Sequence, residues 1–439
     1  MYNLFNKCYD DNSGYDRLLF IIHGIYGRRA PKLRKNTGNP STFTSLKWFN
    51  FFVYGTMVLF TSFFQLYLQD VGMNKLEIGV LMSIGPLVSV FANPFWGIWT
   101  GRYQNNRAVV LLMLAGTLLF SQIIFQANTY ETVYTAIILF YFCQTPLFAQ
   151  SNTLVLSYIE GTPLRFGSFR LFGSLGWALT AIAAGPVIQY SGVSVLPYLF
   201  AVLLGLSIVS LAAMPKLRSS IGPAPLPLRG FGLLFRNPYF LFFIFFGMLV
   251  AIPNTINNTF MSLYINDMGG SKTIIGLAVF LSSILEAGVF LLCKRYLRRK
   301  ISVLVGWLAL VSVLFVLRWW LMSQATLPLE VAFIQILHSV TFGGFFYVGT
   351  ELTMLLIPAP YRSCGQSLYT LSWGGISGMI GGILGGWLFQ YLGAQSMYEF
   401  CVFLSLIGAL GYGGMWLFVN RGGYRPTAAI HDELEEGSV

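Results

Sequence analysis

The sequence predicts an all-α integral membrane protein with twelve transmembrane helices, and three observations predict it. Only 10% of the 439 residues are charged, while 55% are hydrophobic and mean hydropathy is +0.66. A soluble domain carries about 25% charged residues to cover its water-facing surface. Apolar stretches long enough to cross a bilayer, about 20 residues each, recur along the chain. Lys and Arg also fall almost wholly on alternate connections between those stretches, as expected for loops on one side of a membrane.

The spans are expected at 48–68, 77–99, 108–126, 133–157, 169–190, 195–214, 239–265, 273–293, 301–320, 330–356, 365–391 and 398–419. Short polar or Gly/Pro turns such as Gln69-Asp70-Val71-Gly72 and Ser191-Gly192 separate them. With the N-terminus inside, the inner loops hold sixteen Lys/Arg, Arg102, Arg107, Arg165, Arg170, Arg299 and Arg362 among them. The outer loops hold only Lys75 and Lys272. Both termini are therefore expected to be cytoplasmic, in a multi-pass protein of a bacterial cytoplasmic membrane. The net charge of +11 reads as topology rather than as a nucleic-acid surface.

Residues 1–46 read as a disordered cytoplasmic tail or an over-extended start. The apolar run Leu18–Ile22 is too short to span and lacks a small-residue cleavage site. The acidic segment 421–439 reads as a second solvated tail. Cys8, Cys143, Cys293, Cys364 and Cys401 are scattered without metal or redox spacing. No disulfide, metal or other cofactor is expected. No phosphate-binding loop or catalytic triad is visible, so enzymatic chemistry and ATP-driven transport have no support.

The two halves match at an offset of 197 residues. Phe63-Phe64-Gln65-Leu66-Tyr67-Leu68-Gln69-Asp70-Val71-Gly72 returns as Phe260-Met261-Ser262-Leu263-Tyr264-Ile265-Asn266-Asp267-Met268-Gly269. The same offset carries Lys75 to Lys272, Ile78-Gly79 to Ile275-Gly276, Pro163 to Pro360 and Arg165 to Arg362. The chain thus divides into two parallel six-helix repeats, 47–214 and 239–420, joined by a cytoplasmic linker at 215–238. Two such bundles are suited to rock about a site between them. This organisation resembles the major facilitator superfamily over about 46–420. That family's Gly-x-x-x-Asp-Arg loop appears as Gly97-Ile98-Trp99-Thr100-Gly101-Arg102, followed by Arg107. The resemblance makes Gly97, Arg102 and Arg107 a conformational gate. Gly101 in place of the Asp weakens the charge relay there.

An ionisable group at mid-membrane costs about 2.5–3.5 kcal/mol on insertion scales. Three stand out: Glu286 in span 8, Arg318 toward the outer end of span 9 and His338 in span 10. At 1.5 Å per residue, Glu286 and His338 lie roughly 20 Å and 12 Å deep, and Arg318 can snorkel to their level. A Glu–Arg–His cluster would let a proton come and go without a bare buried charge. A purely structural Glu–Arg pair is the alternative. Arg170 and Trp177 lie two turns apart on one face of span 5. They read either as a guanidinium fork beside a flat indole platform for a ring-shaped solute, or as a positive-inside Arg and a lipid-facing Trp. Asn254, Asn257 and Asn258 beside Pro253 suggest a broken helix with freed carbonyls facing a wet cavity. Gln65, Gln144, Gln150 and Asn152 are weaker cavity candidates. Glu351 reads as a structural partner of inner-loop arginines, and the glycines of 374–386 as a tight sliding face.

The stretch Phe166-Gly167-Ser168-Phe169-Arg170-Leu171-Phe172-Gly173-Ser174-Leu175-Gly176-Trp177-Ala178-Leu179 resembles the fifth helix of lactose permease. That resemblance implies sugar contact for Arg170 and Trp177, and sugar binding with proton coupling for Glu286, Arg318 and His338. The proton-carrying Glu expected three residues after the His is Thr341, and the helix-7 carboxylate is replaced by asparagines. Glu286 becomes the proton carrier by elimination. Leu337-His338, Thr341-Phe342-Gly343 and Gly365-Gln366-Ser367-Leu368-Tyr369 look closer to phenylpropionate permeases. Within the lactose, nucleoside and phenylpropionate symporter cluster, the implied activity is proton-coupled import of a small organic solute, sugars favoured. The expected partners are that solute, protons and the lipid bilayer, with no nucleic acid and a monomeric chain. An efflux antiporter, or a non-transporting receptor or scaffold, are the alternatives.

Overall fold

The computed structural model describes residues 40–424 except 104, 128, 161, 216–231 and 233. The proposed tail up to residue 39, most of the linker and the acidic end from 425 lie outside the described residues. What is described is helical throughout, with no strand. The first half runs α1 (Pro40–Asp70), α2 (Lys75–Tyr103), α3 (Asn106–Gln126), α4 (Tyr130–Gln144), α5 (Leu147–Ile159), α6 (Phe166–Ser191) and α7 (Leu196–Ala212). The second runs α8 (Pro238–Asp267), α9 (Lys272–Ile284), α10 (Glu286–Tyr296), α11 (Ile301–Gln324), α12 (Pro328–Ile334), α13 (Ile336–Leu356), α14 (Arg362–Thr370) and α15 (Ser377–Gly422). Helix is what such apolar sequence must form in lipid, because it satisfies each backbone N–H and C=O within one segment.

Eleven helical runs among the described residues are long and apolar enough to cross a membrane. The last of them covers 64 residues, Ala359–Gly422, and includes the expected spans 365–391 and 398–419. Gly393 interrupts it with φ +86 and ψ 166, a conformation that glycine adopts without the Cβ clash other residues suffer. The first helix begins at Pro40, inside the segment read as tail. Helix α8 passes through Pro253 without a break, which corrects the broken helix expected there. The irregularities lie elsewhere. The runs break at Thr145-Pro146, at Leu285 and at Gln335, and a π-helical turn fills Leu371–Ile376. Mid-span irregularities of this kind are frequent at functional sites.

Side-chain caps fix several starts. Asn237 Oδ1 accepts from the backbone N–H of Tyr239 and Phe240 at 3.1 and 3.2 Å. Its Nδ2 donates to the Leu356 carbonyl at 3.0 Å, tying the start of α8 to the end of α13. Asn105 caps α3 and Ser271 caps α9 in the usual way, a side-chain oxygen accepting an orphan N–H.

The offset seen in the sequence recurs in the backbone. Gly72 and Gly269, 197 apart, both turn with positive φ (+93 and +78). Gly192 and Gly393 (+80 and +86), 201 apart, also turn with positive φ. Helices α1, α6 and α7 pack together in the first half, and α8, α11 and α15 in the second. The two halves meet through α2 on α15, α6 on α9, and α1 on α8.

These crossings are sealed by glycine at one end. A Cβ on Gly386 would lie 2.8 Å from the Lys75 carbonyl oxygen, and one on Gly185 2.7 Å from that of Lys272. Gly79 and Gly276, equivalent in the repeat, meet Gly382 and Ala181 as closely. Polar contacts close the same end. The backbone N–H of Lys75 donates to Gln390 Oε1 at 2.9 Å, and that of Lys272 to Gln189 Oε1 at 2.8 Å. Lys75 Nζ forms an ion pair with Asp267 at 2.8 Å. Gln69 donates to Asp267 at 3.0 Å and accepts from Asn266 at 3.2 Å.

At the opposite end Arg299 pairs with Glu351 at 2.6 Å, both within the second half, as expected for Glu351. The glycines of the 374–386 run that join the seal, such as Gly382, are packing glycines, in keeping with their spacing. Overpacking a tight contact costs about 1–3 kcal/mol. Gly386→Ala and Gly185→Ala are therefore expected to lower the unfolding temperature in detergent by several degrees. Gly414→Ala, with open space around it, is expected to leave it unchanged or raise it, since Ala is the better helix former. Equal effects at all three positions would show that the seal is not tightly packed.

Candidate functional site

The polar residues singled out in the sequence separate into two groups. The first is built around Arg318, which is fully buried on α11. Its Nη2 donates to Gln335 Oε1 at 2.6 Å. Its Nη1 donates to Thr341 Oγ1 at 3.3 Å and meets His338 Nδ1 at 3.1 Å. The guanidinium carbon also lies 4.4 Å from the centre of the Trp319 ring. No carboxylate pairs with it among the described residues.

A guanidinium is always protonated and can only donate. The His338 Nδ1 that meets it is therefore an acceptor, which leaves the ring proton on Nε2. Phe342 stacks on the same ring, with centroids 5.0 Å apart and planes 12° apart. Thr341, standing where a carboxylate was expected from the resemblance, accepts from Arg318 and donates its hydroxyl to the Leu337 carbonyl at 2.8 Å. Asn257 joins this group, with Nδ2 donating to Gln335 Oε1 at 3.2 Å. Asn254 is buried and its Oδ1 has no partner. Asn258 is exposed.

The second group straddles the halves. Arg170, half-buried near the start of α6, donates to the Tyr54 hydroxyl of α1. Its guanidinium lies 4.8 Å from the ring centres of both Tyr54 and Phe148. Tyr54 in turn donates to Asn152 Oδ1 at 3.5 Å. Trp177, two turns further along, is partly buried against the core.

Glu286 opens α10, directly after the break at Leu285. The Ser282 carbonyl beside that break receives the Ser339 hydroxyl of α13 at 2.9 Å. Glu286 packs its Cγ beside Gly343, and the positive charge acting on its carboxyl is that of Arg170. The antiparallel packing of α6 on α9, with Gly185 beside Lys272 and Gly276 beside Ala181, explains this. Continued along both helices, that register sets Arg170 level with Glu286, each about 21–22 Å from the sealed end at 1.5 Å per residue.

The expected Glu286–Arg318–His338 cluster is thus corrected. Arg318 and His338 meet, but among the described residues Glu286 pairs with neither and packs its Cγ beside Gly343. Arg318 spends its donors on Gln335, Thr341 and His338 instead.

The gate residues also remain within one half. Arg107 donates to the Leu211 and Ala212 carbonyls at 3.0 and 2.6 Å. Arg102 is exposed, and nothing lies within 4 Å of a Cβ placed on Gly97.

Sequence reasoning missed Tyr54, Phe148 and Gln335. Gln335 lies one turn before His338, so its shared face was the available signal. Tyr54 had only its hydroxyl, set in a run of phenylalanines, to mark it.

Lys in place of Arg318 has no fork with which to reach three separated acceptors. Arg318→Lys is expected to destabilise the protein by about 2 kcal/mol, the cost of buried acceptors left without donors. Thermal unfolding checks this, and an unchanged midpoint would mean that the network contributes nothing.

The family model for the MFS_1 like family matches residues 43–400. The maltose permease of Geobacillus stearothermophilus is 25% identical over 366 residues, covering 82% of this chain and 90% of the permease. An uncharacterized transporter of Bacillus subtilis (strain 168) is 23% identical over 335 residues, covering 76% and 82%. The crystal structure of the nucleoside transporter NupG superposes with a TM-score of 0.73 at 15% identity, covering 86% of this chain and 99% of that one. The chain belongs to the MFS_1 like family: it is a multi-pass membrane transporter of the major facilitator fold, not an enzyme.

Proposed function

We propose that the chain imports a small hydroxylated solute, a sugar or oligosaccharide, by proton-coupled symport with alternating access. The observation that carries this reading is the pair Arg170 and Glu286, level with each other on opposite halves, well below a sealed end. A solute lodged between them touches both halves at once, so its binding is coupled to their separation. The maltose permease relative supports the sugar class, and the fold shared with a nucleoside transporter supports a polar, ring-shaped solute.

In this reading the chain has twelve spans, Gly393 dividing the last two, and both termini are cytoplasmic. Residues 47–214 and 239–420 are the two moving bundles, and the chain acts as a monomer. The Lys/Arg bias then makes the sealed end the outer one, and the conformation is open to the inside. Gly97, Arg102 and Arg107 lie at the open end, where they form the gate that closes when the outer seal parts. Arg170 and Trp177 bind the solute from the first half. Asn254, Asn258 and His338 bind it from the second, with Asn257 behind them.

Glu286 carries the proton. It is the carboxylate at the level of the solute, and Arg170 is its neutralising partner when it is ionised. Arg318 supports the coupling by holding His338. Protonation of Glu286 frees Arg170 for the solute hydroxyls, and release of the solute inside restores the pair.

A thermal-shift screen of maltose, other oligosaccharides, uridine and phenylpropionate tests the class. A sugar is expected to raise the unfolding temperature of the wild type but not of Arg170→Ala. In vesicles with an imposed pH gradient the same sugar is expected to accumulate. Glu286→Gln is expected to abolish gradient-driven accumulation while leaving solute exchange. Accumulation retained in Glu286→Gln removes that residue from the coupling, and extrusion in place of uptake replaces the symporter with an efflux antiporter.

A further inference from the structure

We propose that Gln335 is a positioning residue: with Asn257 and Tyr398 it aims Arg318 at His338 and so fixes His338 as a hydrogen-bond donor through Nε2. The inference deepens the transport reading and rests on it for its functional meaning, because it states which face of His338 a solute would meet.

One group in this row has a fixed polarity. Arg318 can only donate. The Gln335 atom at 2.6 Å from Nη2 is therefore its carbonyl oxygen. That oxygen then needs a second donor, and Asn257 supplies its Nδ2 at 3.2 Å. The Asn257 oxygen is left to accept, and the Tyr398 hydroxyl donates to it at 3.1 Å. The Gln335 amide nitrogen faces the other way, donating to the Val331 carbonyl at 3.1 Å and to Met322 Sδ at 3.3 Å. Each amide along the row has one orientation that satisfies its neighbours, and the guanidinium decides which.

The row joins four segments, α15 beyond Gly393, α8, the break between α12 and α13, and α11. Gln335 is fully buried at its centre. It also occupies the residue between α12 and α13. The backbone there departs from the regular helix, and the side chain reaches across to Arg318 rather than along its own helix.

On the far side of Arg318 the same logic reaches His338. Nη1 occupies the Nδ1 lone pair, Phe342 covers one ring face, and the described residues offer Nε2 no partner. The ring thus presents a single N–H. A solute meets a donor at that point, which suits the lone pair of a hydroxyl, ether or carbonyl oxygen. Without Gln335, Nη2 has no acceptor, the guanidinium is free to turn, and Nδ1 loses its donor.

The nitrogen resonances of the histidine ring report the tautomer directly and need no solute. Full-length protein carrying 15N-histidine is measured in lipid nanodiscs at neutral pH, and His338→Gln identifies the signals of residue 338. The wild type is expected to show a protonated Nε2 and an unprotonated, hydrogen-bonded Nδ1. In Gln335→Leu, Nδ1 is expected to shift to its unbonded position or the two tautomers to mix. Gln335→Glu, which keeps an acceptor for Nη2, is expected to restore the wild-type pattern. Tyr398→Phe cuts the far end of the row without touching Arg318, and is expected to move Nδ1 in the same direction by less. It carries the test if Gln335→Leu does not fold.

A wild-type ring protonated on Nδ1, or on both nitrogens, overturns the proposal. So does an unchanged pattern in folded Gln335→Leu, or in Tyr398→Phe when the leucine variant is lost. Failure here leaves the transport reading standing, and absence of transport leaves the ring signals equally decisive.

Discussion

A permanently charged guanidinium buried in a membrane protein constrains everything around it. Water is absent, so each of its N–H groups must find an acceptor inside the protein or remain unsatisfied at a cost. Arg318 finds three through Gln335, Thr341 and His338, while its Nε finds none. All three acceptors are formally neutral. The charge is spread over dipoles and the Trp319 ring, and no carboxylate among the described residues pairs with it. Such an arrangement is held by geometry rather than by ion pairing. The partners all come from the start of α13, between Gln335 and Thr341, and Gln335 and Thr341 are themselves held by further hydrogen bonds. The second half is thereby stiffened about one point.

The contact between halves obeys a different constraint. Two surfaces that must part cannot be glued by interlocking large side chains. At the sealed end the helices approach through Gly79, Gly382 and Gly386 on one crossing, and through Gly276, Ala181 and Gly185 on the other. Backbone meets backbone there, and few rotamers are frozen. The polar contacts are concentrated at the rim, where the Lys75–Asp267 pair is 14% and 34% exposed at its two side chains. A partly wetted ion pair contributes about 0–1 kcal/mol, so it adds direction more than strength. The repeat is not followed strictly at this point. Lys272, the equivalent of Lys75, turns to Asn266 of its own half at 2.9 Å, so only one of two symmetry-related ion pairs crosses between the halves.

Hydrophobic length and the Lys/Arg bias made the helical membrane class legible in the sequence, because both depend on composition alone. The repeat was legible because Asp70, Gly72, Lys75 and Gly79 return in register at Asp267, Gly269, Lys272 and Gly276, and Gly72 and Gly269 both turn with positive φ. Which polar residues would meet was not legible. Spacing places Glu286, Arg318 and His338 on neighbouring spans, but depth along a helix does not fix which neighbour a side chain faces, and Arg318 meets His338 and Gln335 rather than Glu286. Pro253 read as a break because its ring removes one hydrogen bond. The helix absorbs that loss, and the breaks of the second half fall at Leu285 and Gln335, which carry no breaker residue. Gln335 itself looked like one more amide in an apolar stretch.

The division into two polar groups suggests why the chain works without the carboxylates its relatives' pattern led one to expect. In the proposed symport one group holds its charge and another changes it. If both stood in a single cluster, each protonation step would disturb the fixed charge and the helices it anchors. Here the fixed charge of Arg318 is satisfied by neutral partners within one half, so a proton arriving elsewhere leaves that network intact. In the proposed coupling the variable charge is that of Glu286, level with Arg170 of the other half, and neutralising it would alter the attraction between the halves. On this reading the loss of the helix-10 carboxylate to Thr341 and of the helix-7 carboxylate to asparagines leaves the coupling in place, and confines it to Glu286.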